Sequence, residues 1–389
     1  MANRPVIFPT FFLSGFECST FLWKDGKRRN LAAESRHDRH AMEDYRILRG
    51  LGIGTAREGV PWPLVDRDGR YDFTLIDPFI EAMAATGIAP IWDLCHFGYP
   101  DGLDPFSTAF ASRFANYCRA VAEYVVPKLP DPCFFTPINE ISFFSVSGGE
   151  WGAIAPFSTG RDGRIRLRLA LCRAAIAGVN AIREIDPGAR MVHVDPLVHV
   201  VTPRDRPDLT DAAYHEAHED AFMAWDILAG NFHPELGGSP DILDIVGADI
   251  YSFSQTEYRE HGPYAPLPAD DDRIRPIRDQ LVETWERYKR PMIIGETSSA
   301  KSGRPAWLGH IMQESLAALE QGVGLHGICL YPGVDMRDWD TGEWVRNGFY
   351  DIVEENGDLK RVPAAAYVDE LRRWQNILAD KTLPGTNPS

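Results

Sequence analysis

Short apolar runs alternate along this chain with longer amphipathic segments. The segments have the helical spacing of apolar residues, and most end at a glycine or proline. The pattern therefore predicts eight strand–helix pairs in succession. The predicted strands fall in residues 5–16, 52–60, 88–97, 132–140, 189–195, 241–252, 290–297 and 325–332. The predicted helices fall in residues 38–52, 73–87, 107–125, 165–186, 212–230, 274–289, 306–322 and 364–379.

The arrangement of these pairs indicates the fold class. The strands are nearly continuous apolar runs, as expected for a parallel sheet that is buried on both faces. The length of 389 residues would allow one large barrel or two to three smaller domains, but no linker divides the chain. We therefore predict an α/β fold with a single (β/α)8 TIM barrel over residues 1–378 and a tail over 379–389. The longer loops follow strands, so they are expected at the C-terminal face, where barrel enzymes carry their sites.

Composition and charge narrow the function classes. The chain has 40 Lys and Arg against 56 Asp and Glu, a formal charge of −16, which disfavours binding to nucleic acid. No run of 18 apolar residues is present, so no membrane partner is expected. The start lacks the pattern of a cleaved leader, and the six cysteines are scattered without a CxxC pair. These features favour a cytoplasmic protein with buried free thiols.

Two glutamates end predicted strands and are the main candidates for chemistry. Glu140 closes the fourth strand and Glu296 closes the seventh, so a barrel would bring both side chains to one rim. Hydrolysis of a glycosidic bond needs two such carboxyl groups, one of which protonates the leaving oxygen. A separation of about 5 Å would favour retention of configuration, and one near 8 Å would favour inversion.

Other side chains at the predicted rim could support this pair, and no cofactor or metal is expected. Arg57, His96 and Tyr251 also end strands, and the loop after strand eight is rich in aromatic and acidic residues. The glycine-rich stretch 50–54 lacks the third glycine of a dinucleotide-binding loop. The two histidines of the 212–230 segment lie three residues apart, whereas the zinc-peptidase motif needs a spacing of four.

These motifs resemble those of glycoside hydrolase family 1, the β-glucosidase and β-galactosidase family of clan A. Asn139-Glu140 is similar to the family's acid/base motif, and residues 293–297 are similar to its nucleophile motif. The resemblance covers the chain from strand two to strand eight. It implies that Glu296 is the nucleophile and Glu140 the acid/base. It also implies that Arg57 and Tyr251 support the nucleophile, and that sugar-binding positions are held by Asn139, His96, Tyr331, Asp338, Trp339, Glu17 and Asp249.

Departures from the family pattern concern the residues that hold the sugar. Ile141 replaces a proline, Asp249 replaces an asparagine, and Asp338 is one methylene shorter than the usual glutamate. The glutamine of strand one is missing, and Glu17 is the candidate to replace it. The implied function is a retaining exo-β-glycosidase that forms a covalent glycosyl-enzyme from a carbohydrate substrate. An endo-acting glycanase of the same clan and a catalytically silent sugar-binding barrel stay open, as does the oligomeric state.

Overall fold

The computed structural model describes residues 7–129 and 132–380. Eight parallel strands form a closed barrel in which each strand pairs with its neighbours along the chain and the eighth pairs with the first. The predicted (β/α)8 TIM barrel is therefore confirmed. The strands are β1 Phe12–Gly15, β2 Thr55–Gly59, β3 Ala89–Asp93, β4 Phe134–Thr136, β5 Arg190–Pro196, β6 Ile245–Asp249, β7 Met292–Thr297 and β8 Leu325–Leu330.

A helix lies between each strand and the next, and one follows β8. These are α1 His37–Gly50, α2 Asp77–Thr86, α3 Thr108–Val125, α4 Gly160–Ile185, α5 Met223–Ala229, α6 Ile277–Tyr288, α7 Arg304–Glu320 and α8 Ala365–Asp380. The last helix includes residues 379–380 of the predicted tail, and 381–389 lie outside the described residues. No helix in the described part of the chain is long and apolar enough to cross a membrane.

The apolar strands are explained by two cores on opposite faces of the sheet. Side chains such as Leu13, Ile91 and Ile293 fill the inside of the barrel. Their neighbours along the strands, such as Met292 and Ile294, pack outward against the helices. Because both faces are buried, polar residues appear in the strands mainly where they end. The six cysteines are all buried and stand outside any disulfide bond, as predicted.

Several elements outside the barrel repeat were not predicted. A helix at Ile141–Gly149 begins directly after Glu140, which ends the predicted fourth strand. The sequence of this helix has no polar face that would reveal helical spacing. A hairpin forms from Tyr350–Glu355 and Asp358–Pro363 in the loop after β8. Additional short elements are the helices Leu31–Glu34 and Trp62–Val65, and the strands Asp66–Arg67, Arg70–Tyr71, His199–Val201, Gln255–Glu257 and Ala265–Pro266. The helix predicted over 212–230 is divided in the structure into the helix Thr210–His215, the π-helix Glu216–Asp220 and α5.

A buried ionic network joins α1 to β2 and to the hairpin after β8. The imidazole of His37 bonds Asp44 through Nδ1 at 2.8 Å and Glu58 through Nε2 at 2.9 Å. Arg361 of the hairpin donates to the same Asp44 carboxylate from Nε at 2.7 Å, and Tyr45 donates to Glu58 at 3.0 Å. Burial opposes the charged imidazolium, but the two carboxylates outweigh it and raise the pKa of His37 to about 9.

This network predicts a specific dependence of stability on pH. Since the folded pKa of His37 lies above the ordinary value of 6.5, its contribution is present below pH 6.5 and is lost as the pH rises through about 9. A shift of this size corresponds to about 3 kcal/mol. We expect His37→Gln to lower the free energy of unfolding by about that amount at pH 6, with a difference that shrinks toward pH 9.

Denaturant unfolding of both proteins at pH 6, 7.5 and 9 measures this effect. His215→Gln is the matched control, because His215 is exposed and pairs with Glu219 on the surface. It should change the unfolding free energy by less than about 0.5 kcal/mol. A constant difference between wild type and His37→Gln across this pH range would show that His37 is not the charged partner of its two carboxylates.

Candidate active site

Three carboxyl groups meet at the C-terminal mouth of the barrel. Glu140 follows β4, Asp249 ends β6 and Glu296 lies near the end of β7. One carboxylate oxygen from each lies within 4.8 Å of those of the other two. Two of these groups, Glu140 and Glu296, are the predicted pair, and the barrel brings an oxygen of each within 4.8 Å of the other.

The backbone holds Glu140 in an unusual conformation that turns its side chain into the mouth. Its φ of 42° and ψ of 63° lie in the left-handed region, which costs a non-glycine residue about 1 kcal/mol or more. Neighbouring strands fix this bend: the Asn139 N–H donates to Cys95 O at 3.0 Å, and the Glu140 N–H donates to Val194 O at 3.1 Å. Burial, followed by the charge of Glu296, raises the pKa of Glu140 well above its ordinary value. The side chain is therefore suited to carry a proton at neutral pH.

Glu296 has a different environment, with a cation and a hydroxyl on its two oxygens. Arg57 donates to Oε1 from Nη1, and Tyr251 donates to Oε2 at 2.8 Å. Both partners were predicted to support this residue. The guanidinium is buried and also binds Asp93 at 2.8 Å through Nη2. A carboxyl group placed in this way is held in a fixed orientation beside a cation, as a nucleophile requires.

Asp93 extends this network to the predicted sugar-binding histidine. Its Oδ2 lies 2.9 Å from Nδ1 of His96, whose Nε2 lies 3.2 Å from the amide nitrogen of Asn139. The amide oxygen of Asn139 accepts from Arg57, so both ends of this side chain have protein partners. Asp93 also ends a barrel strand, so the strand-end rule that selected Glu140 could have found it.

A cavity of about 720 Å³ opens above these residues. At one end it is lined by Glu17, His96, Tyr331 and Trp339, all predicted to bind sugar, and both Glu140 and Glu296 face it. Asn139, Arg57 and Asp249 do not line it, because they are buried beneath its floor. The rest of the lining was not predicted. It includes the apolar or aromatic side chains of Phe143, Val146, Trp151, Val198, Phe253 and Tyr264 and the charged side chains of Arg164, Arg168, Glu216 and Asp220.

Glu17 and Asp338 both differ from the family pattern and were both predicted to bind sugar, but the structure places only Glu17 at the cavity. Glu17 reaches the cavity, where its carboxylate accepts hydrogen bonds from the backbone and hydroxyl of Ser19. Asp338 is not among the cavity-lining residues. Its carboxylate instead accepts from Thr341 N at 2.8 Å and from Asp340 N at 3.1 Å, which closes a turn in the loop after β8. The structure therefore does not bring Asp338 to the predicted sugar site.

A second group of potential metal ligands lies beside the cavity but is poorly suited to a metal. Cys18, Asp93 and His96 have donor atoms within 4.8 Å of one another. Burial, despite the nearby His96, raises the pKa of the Cys18 thiol to about 12. Metal binding needs the thiolate, so we assign these residues to the hydrogen-bond network of Arg57.

Comparison with known proteins agrees with this geometry. No protein-family model matches the chain. Furcatin hydrolase from Viburnum furcatum is 22% identical over 413 residues, covering 87% of this chain and 76% of that protein. A family 1 β-glucosidase from Thermotoga maritima superimposes with a TM-score of 0.76 at 18% identity, covering 95% of this chain and 98% of the other. The chain is therefore similar in sequence to these glycoside hydrolases and shares the fold of the family 1 β-glucosidase.

The resemblance predicted from the sequence motifs is thus confirmed at low identity. Rat lactase/phlorizin hydrolase is also similar, with 22% identity over 419 residues, and this chain spans 21% of that longer protein's length. The structural likeness reaches the whole barrel, whereas the identity is too low to transfer a sugar or a linkage. The substrate must therefore be argued from the side chains of this cavity.

Proposed function

We propose that this protein is a retaining exo-β-glycosidase that removes a terminal sugar from an oligosaccharide or glycoside. The observation that carries the proposal is the pair of carboxyl groups, whose nearest oxygens lie within 4.8 Å of each other in contrasting environments. Glu296 is held by Arg57 and Tyr251, whereas Glu140 has a raised pKa. Two carboxyl groups with opposite protonation states are what double displacement needs.

In the first step, an oxygen of Glu296 attacks the anomeric carbon and forms a glycosyl ester. The bond from that carbon to the leaving oxygen breaks, and the proton of Glu140 passes to that oxygen. The leaving alcohol departs neutral. The charge lost by Glu296 is gained by Glu140, so the net charge of the site does not change.

In the second step, water attacks the anomeric carbon and releases Glu296 as a carboxylate. Glu140 takes the proton from this water and returns to its acid form. Each attack inverts the anomeric carbon, so the product keeps the configuration of the substrate. The leaving group would contact apolar side chains of the cavity lining such as Val146, Trp151 and Val198.

Exo action is supported by the closed end of the cavity around Trp339. The Trp339 ring packs against Phe21 at 4.5 Å, Phe97 at 5.7 Å and Phe143 at 5.9 Å between ring centroids. A chain of sugars could not continue through this cluster. The polar groups that remain at that end are Glu17 and His96, which would hold the hydroxyls of a single terminal residue.

Product stereochemistry tests this proposal directly. We expect proton NMR during hydrolysis of an aryl β-glycoside to show the β-anomer of the free sugar first, followed by slow mutarotation. The panel should include β-glucoside, β-galactoside, β-xyloside and β-fucoside, since the residues that hold the sugar differ from those of the family. Initial release of the α-anomer would refute double displacement. No turnover, together with sugar-dependent quenching of tryptophan fluorescence, would favour a silent binding barrel.

A further inference from the structure

Asp249 is a third carboxyl group at the centre of the site. It ends β6 and pairs with Glu296 across the ladder, and it is 1% exposed. Among the described residues, no N–H and no hydroxyl donates to either of its carboxylate oxygens. The carboxyl groups of Glu140 and Glu296 each place an oxygen within 4.8 Å of an Asp249 oxygen. Both oxygens of Glu296 already have donors, so the carboxyl of Glu140 is the group left to pair with Asp249. A hydrogen bond between two carboxyl groups requires that one of them hold a proton.

The groups around Asp249 leave no other source for that proton. On the β7 side, Glu296 is engaged with Arg57 and Tyr251. The guanidinium of Arg57 attracts the Asp249 charge without donating a hydrogen bond to it. On the β5 side, Asp195 accepts two hydrogen bonds from Ser142, one from its backbone N–H and one from its hydroxyl, and it has none to donate as a carboxylate.

The backbone beside Asp249 is shaped to admit its carboxyl group. A β-carbon on Gly295 would lie 2.5 Å from Asp249 Oδ1, closer than any real side chain could approach. The same carbon would also lie 2.7 Å from Val194 Cγ1. Glycine at 295 therefore keeps open the space in which the carboxyl group of Asp249 lies, between β5 and β7.

We propose that Asp249 and Glu140 share one proton, and that Asp249 is a positioning residue that extends to higher pH the range in which Glu140 is a proton donor. This inference rests on the proposed function, in which Glu140 protonates the leaving oxygen. An ionised Asp249 strengthens the hold of Glu140 on its proton, because removing that proton would leave two adjacent anions. During glycosylation the second anion is tolerated, since Glu296 becomes a neutral ester at the same moment.

The test compares the pH dependence of kcat/KM in wild type and Asp249→Asn. The amide removes a negative charge and can donate to ionised Glu140, so both effects favour loss of the Glu140 proton. We expect the alkaline limb to move to lower pH by about one unit or more. Glu17→Gln is the matched control, because it removes a carboxylate from the same cavity without touching the pair. Its alkaline limb should stay within about 0.3 unit of wild type.

An alkaline limb that stays unchanged in Asp249→Asn overturns the inference, even if activity falls, because a purely structural role would lower the rate at all pH values. Infrared titration of the protonated carboxyl band gives a readout without turnover. The band lost in Glu140→Gln should titrate at higher pH in wild type than in Asp249→Asn. Equal midpoints overturn the shared proton. A shifted midpoint in a protein that hydrolyses no glycoside supports the shared proton and contradicts only the proposed function.

Discussion

Glu296→Gln is expected to leave a folded barrel whose turnover of aryl β-glycosides falls by a factor on the order of 10⁴ or more. The amide has nearly the same shape, and its oxygen can still accept from Arg57 while its NH₂ group donates to the hydroxyl oxygen of Tyr251. It cannot attack the anomeric carbon, so no glycosyl ester forms. Steady-state rates with a chromogenic aryl β-glycoside measure the loss, and circular dichroism with thermal unfolding measures the fold.

Glu314→Gln provides the control for removing a buried acid from this barrel. Glu314 is 8% exposed on α7, where it pairs with Arg278 of α6, and neither residue lines the cavity. Its loss should lower stability while leaving kcat/KM within about threefold of wild type. If Glu296→Gln retained more than a tenth of the wild-type rate, Glu296 would not be the nucleophile and the assignment of roles would have to be abandoned.

The residues that could be predicted share one property, which is their position at the end of an apolar run. In a parallel barrel, all strands end at the same rim, so their order in the chain is enough to place Arg57, Glu140, Tyr251 and Glu296 together. The apolar pattern also predicted the eight pairs, because strands buried on both faces consist mostly of apolar residues. The residues at strand ends can therefore be predicted from the sequence alone.

Loop residues could not be placed in this way, and Asp338 is the clearest case. Its position in the chain matches a sugar-binding residue of the family, yet its carboxylate closes a turn with Asp340 and Thr341. Short polar side chains followed two or three residues later by free N–H groups favour such turns. This local hydrogen bonding competes with sugar binding, and it cannot be inferred from the family motif.

The helix after Glu140 was missed for a different reason. Ile141–Gly149 is apolar and small throughout and packs under α4, so its helical period has no polar face to mark it. Its placement affects the shape of the cavity, because Phe143 and Val146 line it. The shape of the cavity wall and the position of Asp338 thus depend on segments that follow the strands. The positions of Glu140 and Glu296 depend on the barrel itself.

Glu140→Ala should lose activity selectively, according to the leaving group. With an unactivated alkyl or aryl β-glycoside, kcat/KM is expected to fall about 10²–10⁴-fold, because the leaving oxygen no longer receives a proton. The dinitrophenolate group of a dinitrophenyl β-glycoside leaves readily as an anion. The kcat/KM for that substrate should therefore fall far less. The second step then becomes slow, and added azide should restore turnover by attacking the glycosyl ester without needing a base.

The comparison of leaving groups separates this role from general damage to the cavity. Glu17→Ala removes a carboxylate from the sugar end, so it should lower kcat/KM for both substrates by a similar factor. Mass spectrometry of the azide reaction should detect the β-glycosyl azide, since attack on the ester inverts a centre that was already inverted once. Equal losses for both leaving groups in Glu140→Ala, with no azide product, would mean that the proton comes from another group. The nearest carboxyl that could supply it is Asp249, so the same measurements on Asp249→Asn would then decide between the two members of the pair.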